Sequence, residues 1–121
     1  MSFLALWAGV GAIGGAASVT RHLVYRVLSR GRSSRFASAT LAVNVSGSLV
    51  LGLLVGAGVH GDAYLLAGTA AIGSYTTFST WMLDTERLAE AGRAAWAVLN
   101  ILASFALGIA AVELGRTIAG G

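Results

Sequence analysis

The chain has 121 residues, of which 56% are apolar and only 11% charged, less than half the roughly 25% charge of an ordinary soluble domain. A domain this small cannot cover a water-exposed surface with so few polar groups, and the absence of Cys excludes a disulfide scaffold. Gly-rich, Pro-free apolar sequence suits helices packed closely in a bilayer, so the composition defines an all-α integral membrane protein. The formal charge of +3 does not point to nucleic acid. All eight basic residues are Arg, and they are scattered between apolar runs with no interleaved aromatic stripe.

Crossing the hydrocarbon core as a helix takes about 20 apolar residues. The first qualifying segment runs from about Phe3 to Leu28. No positive charge precedes it and it is too long for a cleaved signal peptide, so it reads as a membrane span. Arg21 lies near its inner end, where the side chain either snorkels to the headgroups or helps form an electropositive vestibule for anions. An Arg/Ser/Gly linker follows, from Ser29 to Phe36.

The second span is expected from about Ala37 to Val59. Thr40, Asn44 and Ser48 are spaced by four, which at about 100° per residue keeps them within about 80° on one side of the helix. The resulting polar line has two readings, interhelical glue and part of a polar pathway. Gly47, Gly52 and Gly56 would let a second helix approach closely.

After a short turn at His60, Gly61 and Asp62, a third span is expected from about Ala63 to Leu83. Its segment Gly73-Ser74-Tyr75-Thr76-Thr77-Phe78-Ser79-Thr80-Trp81 puts polar and small residues where lipid-facing Leu would be expected. One reading is a polar helix–helix contact. The other is a helix broken mid-membrane, whose freed carbonyls and N–H groups can bind ions. A charged loop, Asp84 to Arg93, leads to the fourth span, Ala94 to Gly115, and the whole chain is a single membrane domain. No metal-ligand spacing, nucleophile–base pair or phosphate loop appears, and no enzyme activity is expected.

This combination resembles the Fluc (CrcB) family of fluoride channels across essentially the whole chain. The carrying residues are Arg21, the Thr40-Leu41-Ala42-Val43-Asn44-Val45-Ser46-Gly47 opening of the second span, and the Thr-Thr-Phe-Ser-Thr string of the third. The resemblance implies an antiparallel dimer with two fluoride pathways, a structural sodium ion held by broken-helix carbonyls, and passive export of fluoride through the cell membrane. By position, Phe78 is similar to the first of two pore phenylalanines, and Gly73 and Thr76 to the sources of the sodium-binding carbonyls. Asn44, Thr40, Thr77, Ser104 and Arg21 match the fluoride pathway, and Asp84 matches an acidic residue after the break. Hydroxyls and an amide can replace fluoride's water, and an aromatic edge can face an anion without trapping it.

Three positions depart from the family pattern. The second phenylalanine position is Trp81, a second polar position of the fourth span is Gly108, and Ala17 stands where Gly is usual. These departures keep open a second function, that of a non-conducting partner subunit in a heterodimeric channel. A small four-span multidrug or cation exporter is a third reading. Such coupling typically needs an ionisable group at membrane depth, yet the first acidic residue is Asp62, in a turn.

Charge also predicts orientation. Arg26, Arg30, Arg32, Arg35, Arg87 and Arg93 fall on one side of a four-span arrangement, and only Arg116 on the other. The positive-inside rule then places the two Arg-bearing loops in the cytoplasm and both termini outside. A chain so biased would insert one way, so its antiparallel partner is expected to be an oppositely oriented homologue, with a homodimer as the alternative.

Overall fold

The computed structural model describes residues 1–29 and 38–120, and among them every regular element is helical. The expected linker beyond Ser29, with Arg30, Arg32 and Arg35, and the expected start of the second span at Ala37 lie outside the described residues. Helix α1 is Phe3–Ser29 and α2 is Ser38–Gly56. A short α3, Gly61–Tyr64, runs into a π-helical segment, Leu65–Ile72, and a last turn, α4, at Gly73–Tyr75. Helix α5 is Phe78–Glu90 and α6 is Ala94–Ile118.

Among the described residues, three helices are long and apolar enough to cross a membrane, over Phe3–Leu28, Ala39–Gly56 and Ala94–Ile118. The segment expected as the third span, 63–83, with a mid-membrane break as one reading, is divided. Thr76 (φ −75°, ψ 159°) and Thr77 (φ −145°, ψ 123°) are extended, so no single helix there reaches spanning length. The expected charged loop Asp84–Arg93 is also corrected. Helix α5 continues to Glu90, because Leu88 is buried on one side while Glu86, Arg87 and Glu90 face outward, an amphipathic pattern that supports a helix. Gly92, at φ 76°, makes the turn that follows.

Close backbone approach, rather than bulky packing, holds the bundle. The buried apolar side chains among the described residues are Ala39, Val43, Ala70, Leu88, Ala97 and Ala111. Helices α2 and α6 form the most extensive pairing. A Cβ on Gly52 would overlap the Val112 backbone, one on Gly56 the Arg116 backbone, and one on Gly115 the Leu49 carbonyl. Small residues at such crossings let dispersion contacts do what the hydrophobic effect cannot do in lipid. Helix α1 packs along the π-helical segment and α4, where a Cβ on Gly14 would come within 3.1 Å of Ser74 Oγ. Large apolar side chains such as Leu4, Val98 and Leu102 point outward, as lipid-facing residues do.

Candidate functional site

The extended pair Thr76–Thr77 organises the interior. An unbroken helix would aim the Thr77 N–H at the Gly73 carbonyl and the Thr80 N–H at the Thr76 carbonyl. Both donors are diverted. Thr77 N–H donates to Asn44 Oδ1 at 2.8 Å, and Thr80 N–H donates to Thr77 Oγ1 at 3.2 Å, which makes Thr77 the N-cap of α5. Asn44 completes a two-way bridge by donating its Nδ2 to the Thr77 carbonyl at 2.9 Å. Arg21 donates to the Ser74 carbonyl at 3.0 Å, so one of the orphan carbonyls at the end of α4 gains a cationic donor. The Ser74 and Thr77 carbonyls are therefore engaged by side chains, while those of Gly73 and Thr76 lose their helical donors.

Two cavities meet at this break, and Thr77 lines both. The first is a groove of about 570 Å³, walled by Asn44, Ser48, Gly73, Thr76, Phe78, Trp81, Ser104 and Gly108 among others. Phe78 and Trp81 stand edge to face, with ring centres 5.6 Å apart at 85°. Ser104 lines the groove, and its Oγ is buried with no hydrogen-bond partner. Phe78 is 68% exposed in the single chain. The second cavity, about 640 Å³, gathers Arg21, Arg26 and Arg87 with His22, Tyr25, Thr40 and Asp84. Its three guanidinium groups against one carboxylate make it electropositive.

The structure thus divides the expected pathway residues between two chambers. Asn44, Phe78, Trp81, Ser104, Gly73 and Thr76 border the groove, Thr40 and Arg21 border the basic chamber, and Thr77 sits at the boundary. Thr40, 1% exposed, donates its hydroxyl to Asp84 Oδ2 at 2.7 Å. In this geometry its proton is spent on the carboxylate, and its remaining capacity is as an acceptor. Sequence reasoning overlooked Asn100, fully buried on α6, which donates to Thr85 Oγ1 at 2.9 Å. The signal was there to find, since it is a lone amide inside an apolar span, four residues before Ser104.

Helices long enough to span a bilayer, outward apolar side chains and two cavities meeting at a helix interruption define a membrane protein with a cavity-lined interior. Residues 6–116 match the profile of the CrcB-like protein, Camphor Resistance (CrcB) family, and the chain belongs to that family. It is 49% identical over 116 residues to a Mycobacterium bovis protein named fluoride-specific ion channel FluC 2, covering 96% of this chain and 92% of the relative. The Mycolicibacterium paratuberculosis protein of the same name is 47% identical over 98% of both chains. A Rubrobacter xylanophilus relative named fluoride-specific ion channel FluC 1 is 44% identical over 105 residues, 86% of this chain and 85% of the relative. No solved structure matches the chain. These relatives are named as channels, and this is a channel-family protein rather than an enzyme.

Proposed function

We propose that the chain is one subunit of a fluoride channel that lets cytoplasmic fluoride leave the cell passively. The observation that carries this reading is a groove whose lining brings together Asn44, Ser104 with its unpartnered, buried hydroxyl, and the edge-to-face pair Phe78–Trp81. Fluoride must exchange water for other donors, and a hydroxyl supplies one. Ring edges carry the positive rim of the quadrupole, attractive to an anion yet too weak to trap it. Arg21, Arg26 and Arg87 would concentrate fluoride at the entrance, and the Asn44–Thr77 bridge marks the neck between the chambers. The name fluoride-specific ion channel on relatives of 44–49% identity supports the choice of ion.

In this reading Gly61–Tyr75 and Phe78–Glu90 together make a fourth crossing, interrupted at membrane depth. The exposed Phe78 favours a second, antiparallel subunit that covers the groove. Sodium fits the break, since the Gly73 and Thr76 carbonyls have lost their helical donors and hard cations take oxygen ligands. Two carbonyls are too few for one ion, and the second subunit would contribute the rest. Bound there, sodium supplies fixed positive charge between the two chains. The Arg bias orients the termini outward and favours an oppositely inserted homologue as partner, consistent with the numbering FluC 1 and FluC 2 among relatives. Fluoride efflux from liposomes holding the purified chain, alone and with such a homologue, tests the proposal. Efflux only with the homologue, and unchanged by alteration of this chain's groove, would instead favour a structural subunit, the reading suggested by Trp81 and Gly108.

A further inference from the structure

Trp81 brings an indole N–H to the wall of the groove, and the fold sends that N–H elsewhere. Its Nε1 donates to the backbone carbonyl of Asn100, 3.4 Å away, a bond at the long end of the range. Asn100 is 0% exposed and does not line the groove, so the indole N–H points into the seam between α5 and α6. The same seam holds a chain of polar contacts. Asn100 Nδ2 donates to Thr85 Oγ1 at 2.9 Å, and Thr85 Oγ1 donates to the Trp81 carbonyl at 2.8 Å. Trp81 is thereby tied to α6 twice, through its ring and through the backbone it hangs from. The Asn100 Oδ1 is buried without a partner, so the Nδ2–Thr85 bond is the amide's one side-chain contact, and sliding α6 along α5 would leave its donor unpaired as well.

We infer that Asn100, acting through Thr85, is a positioning residue for Trp81: the pair holds α6 so that the indole N–H stays on the Asn100 carbonyl and the groove meets only the ring. Its effect on conduction rests on the channel reading above, whereas the clamp itself does not. With the N–H withdrawn, Trp81 acts as an enlarged phenylalanine and adds no donor of its own to those of Asn44 and Ser104. Released, the N–H would turn toward the groove and bind anions with less regard to size. Conduction needs weak sites, so release should slow fluoride and narrow its advantage over chloride.

The test uses Thr85→Val, which removes the hydroxyl, and Thr85→Ser, which keeps it. Asn100→Leu, which removes the amide at similar volume, is a second route to the same loss. In a chain with Trp7→Phe and Trp96→Phe, ultraviolet resonance Raman reads the hydrogen-bond state of the Trp81 N–H directly. Thr85→Val and Asn100→Leu should shift that band and Thr85→Ser should not. In liposomes, Thr85→Val should lower fluoride flux at least fivefold and reduce the fluoride-over-chloride ratio. In the Trp81→Phe background the same substitution should change flux by less than twofold, since there is no N–H to release. An unmoved band in Thr85→Val, or an equal flux loss with and without Trp81, overturns the inference. A parent chain without flux under any pairing would sink the channel reading instead, and the Raman comparison would still decide the clamp.

Discussion

Asn44 and Thr77, 33 positions apart, exchange two hydrogen bonds of 2.9 and 2.8 Å between the Asn44 amide and the Thr77 backbone. An interrupted helix inside a bilayer exposes backbone groups that cost several kcal/mol each if left alone, and Asn44 satisfies one donor and one acceptor together. The residue that resembles a pore donor is also the brace of the break. One of its two amide hydrogens is committed to Thr77, and the other is left for the groove.

Asn44→Leu should therefore cost stability as well as transport, about 1–3 kcal/mol for the unsatisfied Thr77 groups. The expected result is a lower thermal midpoint in detergent together with loss of fluoride efflux. Wild-type flux with a lowered midpoint would assign Asn44 a purely structural role.

Phe78→Ile should abolish flux through any pathway walled by Phe78, because an alkyl group lacks the positive ring edge. Trp81→Phe should raise flux if the larger ring narrows the groove, as its place beside Phe78 suggests. Unchanged or lower flux in Trp81→Phe would count against occlusion.

Close approach of α2 and α6 sets the groove's width from behind. A methyl group at Gly52 would run into the Val112 backbone, whereas Gly11 has nothing within 4 Å of an added Cβ. Gly52→Ala is expected to destabilise the chain by about 1–3 kcal/mol. Gly11→Ala should be neutral or gain about 0.5–1 kcal/mol, since alanine loses less backbone entropy in a helix. Unfolding midpoints of the two variants in the same detergent check the contrast.

Replacing sodium with a large organic cation on both faces of the liposome should abolish flux if Gly73 and Thr76 carbonyls hold the ion. Flux indifferent to the cation would remove sodium from the scheme.

Orientation is tested by a pair of C-terminal reporters, one active only outside the cell and one only in the cytoplasm. The Arg distribution predicts activity from the outside reporter alone. Comparable activity from both would mean dual insertion, and a homodimer in place of a heterodimer.

Sequence by itself determined the helical membrane class and marked Gly73–Trp81 as a polar stretch inside an apolar region, with a break as one of two readings. Those features are local: apolar length, glycine spacing and a run of hydroxyl residues act on their own neighbourhood. Tertiary structure decided where each polar group spends its hydrogens. Thr40 reads as a donor along the polar line of α2, yet its proton goes to Asp84, 44 positions on. Arg21 reads as a snorkelling or vestibular charge, yet it also closes the Ser74 carbonyl across 53 positions. Asn100 drew no notice in an apolar span and proves to be the most deeply buried amide in the described chain. In an apolar interior, hydrogen-bond partners are few, and a polar group left without one is costly. That choice depends on which helices meet, and no spacing along the chain encodes it.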